Sequence, residues 1–157
     1  MIAGVRVDHR LVHGQVAVAW THHLDIGRII LIDDATAADE FQSQVLKMAK
    51  PAGVKLNIFS VEKALAKMPK VESLSDRIFI VFGNVDNALR FVKGYPKLKE
   101  INYGGTKKKE GTKEYSETIY LTPTEIEQTR QILDAGVKVF IQQLPSTKRV
   151  DLTKENL

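Results

Sequence analysis

No cysteine occurs anywhere in the 157 residues. Disulfides and thiolate metal sites are thereby excluded, which fits a reducing compartment. Long apolar runs are also missing: none approaches the ~20 residues needed to span a bilayer. The N-terminal stretch lacks the basic leader and extended apolar core of a secretory signal, so a cytoplasmic location is expected. Charge of one sign is scarce too, with 23 Lys and Arg against 19 Asp and Glu and a net charge of +4. That balance suits an acidic or phosphorylated partner and is too mild to argue for nucleic acid. What remains is 43% hydrophobic and 27% charged, the composition of a globular protein. The length is that of one domain, residues 1–157, burying roughly two-thirds of its unfolded surface.

Short β-branched runs alternate with amphipathic stretches. Ile2 to Val7 reads as a strand, and Gly14 to His23 as a helix whose Val16, Ala19 and Trp20 share one face. Arg28 to Ile32 is apolar enough for a strand buried on both faces. A helix is predicted from about Ala37 to Lys50, carrying Phe41, Val45, Leu46 and Met48 and ended by Pro51. Val54 to Phe59 is a strand. Ser60 then caps a short helix that should stop before Pro69. Arg77 to Phe82 is the clearest strand, and Gly83-Asn84 turns it into a helix that Gly94 ends. Glu100 to Tyr103 runs into Gly104-Gly105, and Thr118 to Leu121 is a weaker strand. Thr122-Pro123-Thr124-Glu125 is a capping box with proline at the first helical position, opening a helix to about Ala135. Val137 to Gln142 is the last strand expected.

This alternation predicts a three-layer α/β/α domain. Its core is an open, mostly parallel sheet of about six or seven strands with helices on both faces. Ligands of such sheets bind beyond the carboxyl ends of the strands. That rule points to Asp8 to His13, after the first strand, with Gly83-Asn84 and Gly104-Gly105 able to line the same crevice. The first loop has the parts for handling a phosphoryl group. The neutral His13 imidazole is a nucleophile near neutral pH. Arg10 offers a planar fork of donors to phosphate oxygens. Gly14 lets backbone N–H groups approach at a helix N-terminus, an anion site. Asp8 can hold the Arg10 guanidinium, or accept the second imidazole N–H and fix the tautomer. Positioning and charge stabilisation suffice for such chemistry without metal or cofactor. On spacing alone a histidine before a helix more often caps it or packs, and a non-catalytic module that holds a phosphorylated metabolite is the rival function.

The run Arg6-Val7-Asp8-His9-Arg10-Leu11-Val12-His13-Gly14-Gln15-Val16 resembles the N-terminal motif of the IIB subunits of mannose/fructose/sorbose-class bacterial sugar phosphotransferase systems. The likeness continues through Trp20-Thr21, Asp33-Asp34-Ala35, Pro51-Ala52-Gly53-Val54, Asn102-Tyr103-Gly104-Gly105 and Gly136-Val137. It implies that His13 takes a phosphoryl group on Nδ1 from a histidine of a IIA partner and passes it to a sugar held by membrane IIC and IID subunits. It also implies that Arg10, Gly14 and Gln15 bind the phosphoryl group and that Asp8 supports the loop. The protein would then sit at the inner face of the membrane through its partners, with a homo-oligomer also admitted. One position departs from the pattern, since His9 stands where the family commonly has a second acid.

Other residues have plainer readings. His22 and His23 fit a helix end, Trp20 the core, and Asp33-Asp34 a turn and helix cap. The His9-x-x-x-His13 spacing, with Asp33 or Asp34 as third ligand, is a metal pattern only on a helix, and it falls in a loop. Lys107-Lys108-Lys109, within the polar stretch Thr106 to Glu117, reads as a solvated loop, with docking to an acidic face of IIA or to anionic lipid as the functional alternative.

Overall fold

Helices that return the chain across a sheet force the strands they connect to run parallel, and the computed structural model, which describes residues 1–157, is built this way. In chain order, β1 (Ile2–Asp8) is followed by α1 (Gly14–His23), β2 (Arg28–Ile32), α2 (Asp34–Ala37), α3 (Glu40–Ala49) and β3 (Lys55–Phe59). Next come α4 (Val61–Glu72), β4 (Ile78–Phe82), α5 (Val85–Gly94), β5 (Glu100–Gly105), and the two short strands β6 (Lys113–Glu114) and β7 (Tyr120–Leu121). The chain ends with α6 (Pro123–Asp134), β8 (Lys138–Ile141) and β9 (Val150–Leu152). The main sheet has seven strands in the order β3-β2-β4-β1-β5-β8-β9. All pairs are parallel except β8 with β9.

The two faces are packed unequally. Val61, Ala64, Met68 and Val71 of α4, Val85, Ala88, Phe91 and Val92 of α5, and Ile132 of α6 meet the sheet on one side in a core of 27 buried residues. On the other side Ala17 and Trp20 of α1 and Leu46 of α3 cover Ile29, Leu31, Phe79 and Val81 in a core of 10. The β1 strand lies between β4 and β5. The chain leaves β1 towards β2 under α1, and leaves β4 towards β5 under α5 on the opposite face. The carboxyl end of β1 is therefore a switch point of the topology, where a crevice opens.

Several sequence expectations shift in detail. The helix foreseen over 37–50 is α3, which starts at Glu40 with Asp39 capping it through the Gln42 N–H. A separate short helix, α2, precedes it, capped by Asp33 through the Thr36 N–H. Of the apolar residues on α3 only Leu46 is buried, while Phe41, Val45 and Met48 face outward. Helix α4 does not stop at Pro69 but runs through it to Glu72. Burial of Met68 and Val71 on either side holds the extra turn against the lost hydrogen bond. The weak strand near Thr118 is shorter and pairs antiparallel with β6, outside the main sheet. Chain order does not end at β8. The three-residue β9 closes the edge, too short and too charged to show a period of two.

Candidate functional site

Alternation along β1 sends successive side chains to opposite faces. Val5 and Val7 enter the larger core, while Arg6 and Asp8 enter the thinner side, beneath α1. Both charged side chains are almost completely buried, at 2% and 1% exposure. They form an ion pair, with Arg6 Nη2 and Nε donating to Asp8 Oδ2 at 3.1 and 3.3 Å. Arg6 Nη1 donates to the Gln142 carbonyl at 3.0 Å, and the guanidinium lies 5.6 Å from the centre of the Trp20 ring. Its space is provided by Gly104, where a Cβ would collide with the guanidinium carbon.

Asp8 is the hub of the loop. Its Oδ2 also meets His13 Nε2 at 3.0 Å, and its Oδ1 accepts the Arg10 backbone N–H at 3.0 Å. Arg10 Nε lies 3.6 Å from the same Oδ1. The loop is tied down by the Leu11 N–H to the Asp8 carbonyl and the His9 N–H to the Gly105 carbonyl, both at 3.0 Å. Leu11 adopts a left-handed φ of 66°, a conformation costing about 1 kcal/mol or more for a branched side chain. Packing of Leu11 and buried Val12 into the core beneath α1 offsets that strain. Burial pushes the Asp8 carboxyl up. The His13 hydrogen bond, the Arg6 charge and the Arg10 N–H outweigh burial and hold it below the usual carboxylate range. For Arg6, burial wins over the attraction of Asp8 and lowers the guanidinium from its ordinary value.

His13 is the residue before α1, with extended backbone, and its side chain makes no cap. Its ring is held from Nε2, and Nδ1 makes no hydrogen bond within the chain. Gly14 (φ 41°) and Gln15 open the helix and are exposed. The N–H groups of that first turn have no carbonyl within the helix to reach. Side-chain exposure is 42% for Arg10 and 23% for His13, so both are reachable from outside. This cluster joins a nucleophile, a carboxylate that sets its tautomer, a free guanidinium fork and a helix N-terminus. It has the parts to accept and release a phosphoryl group.

Other foreseen residues fall elsewhere. Gly83 makes room for the Asp33 side chain, and Asn84 caps α5. Asp34 accepts the Val61 N–H at 2.9 Å and pairs with Arg90. Both aspartates are thus capping and tethering groups, and no three His, Asp or Glu side chains gather where a metal could be held. His9 is exposed, His22 and His23 end α1, and His23 stands edge-on to Trp20 at 5.8 Å. Lys107 to Lys109 are exposed beyond β5. Arg6, Trp20 and Gln142 were not foreseen in the site. Besides opening the motif run, Arg6 shows in the sequence as a charged residue inside an apolar strand, two positions before Asp8 and so on its face.

Residues 2–155 match the family described as the sorbose subfamily IIB component of the phosphotransferase system, PTS. The chain is 30% identical to the PTS system sorbose-specific EIIB component of Lacticaseibacillus casei, over 97% of this chain and 93% of that one. It is 28% identical to the PTS system mannose-specific EIIAB component of Escherichia coli K12, matching 97% of this chain but 48% of that protein. The crystal structure of the IIBSor domain of the sorbose permease from Klebsiella pneumoniae superposes with a TM-score of 0.89. That structure shares 30% identity and covers 96% of this chain and 93% of its own.

Proposed function

Because the chain belongs to the sorbose-subfamily IIB components of the phosphotransferase system, we propose that it carries phosphoryl groups in sugar transport on Nδ1 of His13. The observation that supports this most is the 3.0 Å contact between His13 Nε2 and Asp8 Oδ2. An ionised carboxylate there accepts the Nε2–H and leaves the Nδ1 lone pair as the nucleophile. In the loading step the Nδ1 lone pair attacks phosphorus, the P–N bond of the donor phosphohistidine breaks, and the donor keeps that electron pair. In the unloading step a sugar hydroxyl oxygen attacks phosphorus, the P–Nδ1 bond returns its electrons to the imidazole, and the hydroxyl proton is lost to water. The proton stays on Nε2, donated to Asp8 Oδ2, throughout.

Arg10, with its fork exposed, and the first-turn N–H groups at Gly14 and Gln15 stabilise the charge on the phosphoryl oxygens. The donor is a IIA protein, in keeping with a relative whose name joins A and B components in one chain. The acceptor sugar is presented by membrane IIC and IID subunits. On this reading the protein works at the cytoplasmic face of the membrane through its partners; no helix of its own is long and apolar enough to cross a membrane.

The test is labelling from phosphoenolpyruvate through the general phosphotransferase proteins and IIA. Labelled phosphate is expected on the wild-type chain and absent from His13→Ala, with the two equally stable. Equal labelling of His13→Ala would sink the assignment.

A further inference from the structure

Resting on that reading of His13, we propose that Arg6 is a positioning residue of the transfer site. It fixes the Asp8 carboxylate in place and cancels its charge, so that Asp8 orients the imidazole without repelling the incoming phosphoryl group. A carboxylate in contact with His13 presents a chemical difficulty. It selects the right tautomer, yet its negative charge opposes the approach of a phosphoryl dianion and favours the non-nucleophilic imidazolium. A buried positive charge on the same carboxylate oxygen resolves both problems. Arg6 supplies that charge at 3.1 Å, on the Oδ2 that His13 also contacts.

Arg6 is held on every side. Three of its nitrogens are spent on Asp8 and the Gln142 carbonyl, its plane lies over Trp20, and Gly104 leaves the room it fills. With 2% exposure it cannot reach a phosphoryl group itself. Arg10, at 42%, can. The two arginines thus differ: Arg6 acts on the carboxylate alone, whereas Arg10, with its Nε 3.6 Å from Asp8 Oδ1, keeps the rest of its fork for the ligand. The charged and titratable groups facing His13 are few. Asp8, Arg6, Arg10 and His9 come from β1 and its loop, α1 has no acid in its first turn, β5 presents Gly104 and Gly105, and Gln142 follows β8. Arg10, exposed and 3.6 Å from Oδ1, is the other cation near Asp8, and nothing but Arg6 stands on the Oδ2 that His13 contacts.

The test follows transfer from phosphorylated IIA between about pH 5 and 9, where imidazole changes charge, in wild type, Arg6→Gln and Arg6→Lys. In Arg6→Gln the imidazolium keeps Asp8 and loses a neighbouring positive charge. The acid limb of the rate is therefore expected to move up by about one pH unit. Arg6→Lys restores the charge and is expected to return the limb to its wild-type position. A uniform drop in rate with the limb unmoved overturns the proposal, as does a Lys variant displaced as far as the Gln one. Should Arg6→Gln not fold, Gly104→Ala makes the same test. Its methyl displaces the guanidinium while every charge is kept, and an unmoved limb there is equally fatal. Labelling that survives His13→Ala would instead overturn the reading beneath it.

Discussion

The two sides of β1 are built from alternate residues of one strand and have opposite characters. Val5 and Val7 point into a core of 27 buried residues, walled by three helices. Arg6 and Asp8 point into a core of 10, where only α1 and α3 contribute helical residues. Beside them Asn102 of β5, Phe140 of β8 and Gln142 just after it line an open groove that also reaches Trp20, His23, Lys138 and Arg149. The contrast shows where a fold of this kind can afford a buried ion pair. Continuous apolar packing on one side supplies stability, and the thinner side is left free to hold charges in a fixed geometry.

Substitutions on the two sides should therefore fail differently. Phe82→Ala, in the thick core where Phe82 is fully buried, is expected to cost about 3–5 kcal/mol. A urea titration measures this, and molecules that remain folded should still be labelled on His13. Labelling lost at full folding would mean the cores are not separable.

Asp8→Asn strands Arg6 without its counter-charge and is expected to cost about 3 kcal/mol at neutral pH. The sign of the acid dependence follows from the lowered Asp8 value. Its contribution is present in full above about pH 4, the unfolded carboxylate range, and disappears as pH falls through the lower folded value. Denaturation midpoints of wild type and variant should accordingly converge in acid. A gap that stays constant down to about pH 2 would show that the Asp8 charge is not the source.

At the exposed rim the effects become kinetic. Arg10→Ala should slow transfer by about tenfold or more and change stability by less than about 0.5 kcal/mol. Rapid-quench labelling at wild-type rate would remove Arg10 from the site. The smallest effect belongs to His9→Asp, which restores the commoner family residue. Labelling should persist and stability stay within about 0.5 kcal/mol, whereas lost labelling would give His9 a part in transfer.

Much of this was legible in the sequence because periodic burial is local. Strands such as Ile78–Phe82 and the capping box at Thr122 announce themselves within a few residues. The His13 loop was readable for the same reason: its hub, Asp8, lies five residues away. Arg6 was not, since its partners are Gln142, 136 positions distant, Trp20 on α1 and the absent side chain of Gly104. Only the closed sheet brings these together. Helix α4 through Pro69 was missed likewise, because tertiary burial of Val71 overrode a local rule.

The tether on Nε2 of His13 has a consequence for traffic. On the proposed reading one ring nitrogen is committed to Asp8, so whatever arrives at the imidazole and whatever departs must use the other. Donor and acceptor then approach along one trajectory and occlude one another. Turnover becomes strict alternation, a ping-pong cycle without a ternary complex, in which an excess of either partner throttles the flux it serves.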